Sequence, residues 1–81
     1  MNGEKIEMES VWAVVPAFNE SRNLPQIVKK IKKYVQNVVV VDDGSNDSTY
    51  DAASGTGAVV LRHMINLGKG AALKTGCDYA I

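Results

Sequence analysis

Most of the residues equipped for chemistry in this 81-residue chain fall in three short clusters. The first is Pro16-Ala17-Phe18-Asn19-Glu20. Its proline fixes the backbone as it leaves an apolar run, and Asn19 and Glu20 put polar groups at the head of the next segment. A plain helix entry explains the same residues, with Asn19 or Ser21 as the cap and Glu20 favoured at the positive end. The second is Asp42-Asp43-Gly44-Ser45. Adjacent carboxylates repel, so a fold that keeps both has a use for them. They can accept hydrogen bonds from a base N–H or a ribose hydroxyl, or hold a divalent metal. The alternative is an Asp-Gly turn closed by an aspartate side chain. The third is Asn66-Leu67-Gly68-Lys69-Gly70-Ala71-Ala72-Leu73, where glycines let backbone amides approach a ligand and Lys69 can reach a phosphate from a helix N-terminus. Its spacing is not that of a Walker loop, and Gly55-Thr56-Gly57 is not a dinucleotide fingerprint, because a strand and not a helix follows it.

The elements that position these clusters follow from apolar periodicity. Residues 11–15 form an apolar, β-rich run ended by Pro16, suited to a parallel strand covered on both faces. Leu24, Ile27, Val28, Ile31 and Val35 recur at helical spacing, which predicts an amphipathic helix over 21–35. Its other face carries Lys29, Lys30, Lys32 and Lys33, read as a solvated surface in preference to a basic docking patch. Residues 38–41 are four valines and make the clearest strand. A short helix starts at Asp47 or Ser48 and runs to Ser54, with Gly55 and Gly57 closing it in the left-handed conformation. A third strand over 58–62, a turn at 66–70 and a helix over 71–81 complete the order. His63 is read as a loop residue and not a catalyst. The βαβαβα order predicts an α/β fold, a three-layer sandwich of Rossmann type with parallel strands and right-handed crossovers. In such sheets ligands bind at the carboxyl ends of the strands, where all three clusters lie.

Composition bounds the rest. The hydrophobic share of 46% and charged share of 22% are those of one small globular domain. Nine basic residues against nine acidic ones leave no long-range field to attract nucleic acid. The single cysteine, Cys77, makes no internal disulfide and is expected to be a buried, reduced thiol. No apolar run approaches the ~20 residues that span a bilayer. Residues 1–10 are a polar lead-in without the apolar core of a signal peptide, so a cytoplasmic location is expected.

Taken together, the clusters resemble the nucleotide-diphospho-sugar transferase fold (GT-A type), and within it the family 2 glycosyltransferases, the dolichol-phosphate mannosyltransferase and glucosyltransferase-like members above all. The resemblance rests on Val15-Pro16-Ala17-Phe18-Asn19-Glu20, on Val40-Val41-Asp42-Asp43-Gly44-Ser45-Asn46-Asp47-Ser48-Thr49, and on Asn66 to Leu73, in that order, and covers residues 11–81. It implies a nucleotide-sugar donor, UDP- or GDP-linked, with Pro16, Phe18 and Glu20 lining the nucleotide pocket. One of Asp42 and Asp43 would hold the base or ribose, and Lys69 would lie towards the pyrophosphate. Thr49 would be a helix residue without ligand contact. The family's magnesium or manganese is held by an Asp-x-Asp motif, and its acceptor is deprotonated by a later carboxylate; neither is found up to Ile81. No metal and no catalytic residue are therefore expected here, nor turnover by these 81 residues alone. The resemblance also implies a polyprenyl phosphate acceptor, reached at the cytoplasmic face of a membrane. It implies a strand order of 3-2-1-4 as well, leaving the strand over 11–15 an open edge through which this chain would self-associate. The competing readings are a nucleotidyltransferase or other sugar-nucleotide enzyme, a receiver-type signalling domain, and a non-catalytic nucleotide-binding or assembly module. The first lacks its Gly-x-Gly-x-Arg loop, and the second its strand-end aspartates in the right strands.

Overall fold

A computed structural model describes residues 11–81. The elements run β1 (Trp12–Ala17), α1 (Leu24–Ile31), β2 (Asn37–Asp43), α2 (Thr49–Ser54), β3 (Val59–His63) and α3 (Lys69–Ala80). The polar lead-in assigned to 1–10 lies outside the described residues. All pairings are parallel, in the order β1-β2-β3, with Val14 opposite Val39 and Val41 opposite Leu61. The expected α/β fold, parallel strands alternating with helices, is what the structure shows.

Alternation along β2 builds the two apolar layers. Val38 and Val40 face one way and pack with Ala17, Leu24, Val28 and Ala53, the side covered by α1 and α2. Val39 and Val41 face the other way and pack with Ala72 of α3, flanked by Trp12, Val14, Val59 and Leu61. All four valines are essentially removed from water, as expected for a central parallel strand between two helical layers. Helix α3 lies close to the sheet because Gly76 carries no side chain. A Cβ there would collide with Val14 Cγ1 and stand 3.2 Å from Val41 Cγ2. The end of α3 is fixed by an edge-to-face contact between Trp12 and Tyr79, whose ring centroids are 5.7 Å apart.

Several boundaries differ from those read in the sequence, each for a local reason. Strand β1 does not stop before Pro16 but runs through it to Ala17, with Pro16 opposite Val41. An edge strand tolerates a residue without an N–H, and among the described residues β1 has no neighbour on its other side. Helix α1 is shorter than 21–35 because it tightens beyond Ile31, where Lys33 and Tyr34 donate to the carbonyls of Lys30 and Ile31. Gly55 closes α2 in a right-handed conformation, and Gly57, at φ +85°, makes the left-handed turn. Helix α3 begins at Lys69, two residues before its expected start, with Gly68 at φ +100° preceding it. Cys77 is exposed and not buried: the buried stripe of α3 is Ala72 and Gly76, and the neighbouring position turns to solvent.

Candidate functional site

Parallel strands with right-handed crossovers bring every βα loop to one end of the sheet. There the exit of β1, the loop after β2 and the loop after β3 meet, held together by side chains reaching across. Asn19, at φ +54°, donates its backbone N–H to Ser45 Oγ at 2.8 Å and accepts at Oδ1 from the N–H of Asn46 at 2.9 Å. The next N–H, of Glu20, donates to Thr49 Oγ1 at 2.9 Å. Ser21 Oγ donates to Asp47 Oδ2 at 3.0 Å. Asp47 accepts through Oδ1 from both the backbone N–H and the hydroxyl of Thr49, which starts α2 without a side-chain bond from Ser48. Asn19 and Ser21 thus do not cap α1; they fasten the first cluster to the second. The Thr49 hydroxyl in particular draws the Asp47 carboxyl below the usual carboxylate range.

The two adjacent aspartates do not confront each other, because neighbouring strand residues point to opposite faces. Asp42 is fully buried on the α1 and α2 side, where Oδ1 accepts from the Ser45 N–H at 3.1 Å and closes the turn. Its Oδ2 has no hydrogen-bond partner among the described residues. The nearest cation is Arg62, with Nε at 3.7 Å, half exposed and stacked 4.9 Å from the ring centre of Tyr50. Asp43 faces the other way and organises the third cluster. Its Oδ1 accepts from Leu67 N–H at 2.9 Å and from His63 Nδ1 at 2.8 Å, and its Oδ2 from Gly68 N–H at 2.8 Å. The Leu67 amide is the largest influence holding the Asp43 carboxyl below the usual range, followed by His63. Gly44, at φ +73°, lies so close beneath the same loop that a Cβ would meet the backbone of Ile65 and Asn66.

These contacts frame a cleft of about 500 Å³ lined by Pro16, Phe18, Glu20, Asp43 and Lys69 together with Leu24, Ile27, Asn66 and Gly68 among others. Five of the six residues singled out in the sequence thus line one cavity; Asp42 does not. It is enclosed beneath the turn that it closes, so only Asp43 of the pair faces the cleft. Ionised, a carboxylate offers about four acceptor positions, and Asp43 has used three, leaving one on Oδ2. Glu20 and Lys69 are exposed, with no hydrogen-bond or ion-pair partner for either charged head group among the described residues.

Leu24 is the core position of α1 that the sequence indicates and also borders the cleft, whereas Ile27, read as core, is exposed and lines it. His63 departs from its expected place in a loop. It is the last residue of β3, not a loop residue, and its Nε2 lies 2.8 Å from Thr75 Oγ1. Among the described residues no group of three or more His, Cys, Asp or Glu side chains gathers. With Asp43 mostly committed, the residues present do not fit a divalent cation. No described helix is long and apolar enough to cross a membrane.

Comparison with known proteins agrees with this architecture. Residues 12–81 match the family described as glycosyl transferase family 2. An uncharacterized protein of Methanocaldococcus jannaschii is 44% identical over 78 residues, covering 95% of this chain and 32% of its own length. A dolichyl-phosphate beta-glucosyltransferase of Trichomonas vaginalis is 34% identical, covering 79% of this chain and 25% of its own length. The human dolichyl-phosphate beta-glucosyltransferase is 31% identical, covering 91% of this chain and 31% of its own length. The chain therefore spans a third or less of the length of these relatives.

Proposed function

The chain belongs to glycosyl transferase family 2, and from that premise we propose that its cleft receives the nucleotide end of a UDP- or GDP-linked sugar, as the donor-binding part of an inverting glycosyltransferase. The observation that carries this is the convergence of Pro16, Phe18, Glu20, Asp43 and Lys69, drawn from three separate strand ends, on one cavity. Phe18 and Ile27 offer an apolar flank against which a base can lie. Glu20 and the remaining acceptor position of Asp43 suit a base N–H or ribose hydroxyls. Lys69 and the first free amides of α3 suit the diphosphate, since a helix N-terminus favours negative charge. The acceptor class is a polyprenyl phosphate, as the names of the relatives suggest, met at the cytoplasmic face of a membrane.

Magnesium or manganese, and the carboxylate that deprotonates the acceptor, would belong to a longer protein, and the 81 residues alone would have no turnover. The open side of β1 would let this chain associate with a second copy. Two-dimensional amide NMR during addition of UDP or GDP tests the proposal. Shifts should concentrate at residues 17–20, 43 and 66–71. Shifts confined to the lysine face of α1, or none at millimolar nucleotide, would refute it.

A further inference from the structure

His63 ties β3, α3 and the carboxylate of Asp43 into one hydrogen-bonded chain. Nδ1 stands 2.8 Å from Asp43 Oδ1 and Nε2 stands 2.8 Å from Thr75 Oγ1. An ionised carboxylate only accepts, so the proton on the neutral ring sits on Nδ1, and Nε2 accepts from the Thr75 hydroxyl. The order carboxylate, imidazole, hydroxyl is that of a nucleophile triad, yet neither His63 nor Thr75 lines the cleft. With the threonine outside the cleft lining, the arrangement suits positioning and not attack. What it positions is specific. The same Asp43 carboxylate holds the N–H groups of Leu67 and Gly68, and the segment so held supplies Asn66, Gly68 and Lys69 to the cleft. The close approach of Gly44 to Ile65 and Asn66 clamps that segment from below.

We infer that His63 is a positioning residue for nucleotide binding, locked as the Nδ1–H tautomer, and that it fixes the Asp43 carboxylate and through it the Asn66–Lys69 wall of the cleft. The inference rests on the nucleotide reading of the cleft, and its test separates the two. In the 81-residue chain, nitrogen-15 NMR of the imidazole should show the Nδ1–H tautomer, whereas an unconstrained neutral ring in water favours Nε2–H.

His63→Ala should weaken the nucleotide that binds the parent chain by about tenfold, the scale of one hydrogen bond to a charged group. His63→Asn, whose amide nitrogen takes the place of Nδ1, should recover most of that loss, and His63→Gln, which mimics Nε2, should not. A histidine that only stabilised the fold would lower the melting temperature and leave the affinity of the folded variants unchanged. Should His63→Ala fail to fold, the Asn and Gln variants carry the comparison. An Nε2–H tautomer, or equal affinities for Asn and Gln, overturns the inference. If the parent chain binds neither UDP nor GDP, the nucleotide reading falls instead. The tautomer, and exchange protection of the Leu67 and Gly68 amides lost in His63→Gln but kept in His63→Asn, then decide whether His63 fixes the wall.

Discussion

Two glycines and two aspartates carry much of the geometry at the residue scale, and each makes a measurable demand. Gly44 and Gly76 are both sites of close approach, but against different partners. At Gly76 the obstruction is a valine side chain, which can shift. Gly76→Ala should therefore cost about 1–3 kcal/mol, the usual range for overpacking. At Gly44 the obstruction is the backbone of Ile65 and Asn66, and the φ of +73° adds strain for any side chain. Gly44→Ala should be the more damaging of the two and should displace the third cluster; thermal melts of both variants check the ranking. The aspartates set a pH dependence. Asp43 and Asp47 both titrate below the ordinary carboxylate value of 3.8 in the folded chain. A depressed folded value means that the unfolded chain binds protons first as pH falls. Their stabilisation is thus complete well above 3.8 and lost as pH drops through that value towards their folded values. Circular-dichroism melts from neutral pH downward should hold steady and then fall below about pH 4–5, with Asp43→Asn giving a shallower fall.

At the scale of elements, the loops at the carboxyl end of the sheet are built as one unit. Thr49 illustrates the dependence: its hydroxyl accepts from Glu20 N–H and donates to Asp47 while the residue is fully buried. Thr49→Val keeps the shape and strands the Glu20 N–H, at a cost of about 1–3 kcal/mol. The same change should loosen the first cluster, seen as faster amide exchange at Asn19 and Glu20. These contacts also explain what the sequence could and could not tell. The valine run of β2 and the leucine, isoleucine and valine spacing of α1 announce their elements because burial on fixed faces leaves a periodic mark. The placement of Pro16, Phe18, Glu20 and Lys69 in one cleft follows from the rule that parallel sheets gather their loops at one end. The division of labour between Asp42 and Asp43 was not legible as a site, because it depends on which face each points to and what meets it there. His63 and Thr75 are separated by twelve residues and share no motif, so only packing of α3 against the sheet brings them together.

For the molecule as a whole, the sheet has three strands and leaves one side of β1 without a partner among the described residues. Trp12, Val14 and Val15 remain only partly covered although helices lie on both faces. An apolar edge of this kind invites pairing with another chain. Sedimentation of the 81-residue chain should show a mass that rises with concentration; a strict monomer at high concentration would contradict this. Residues from three strand ends converge on the proposed nucleotide site, and among the described residues no group of three or more His, Cys, Asp or Glu side chains gathers to hold a metal beside it. The most direct measurement is a calorimetric titration with UDP and with GDP, each with and without manganese. Saturable binding of one nucleotide, little altered by the cation and weakened by Phe18→Ala and Lys69→Ala, is the predicted result. Binding that requires manganese, or no binding of either nucleotide at millimolar concentration by a folded chain, would contradict it.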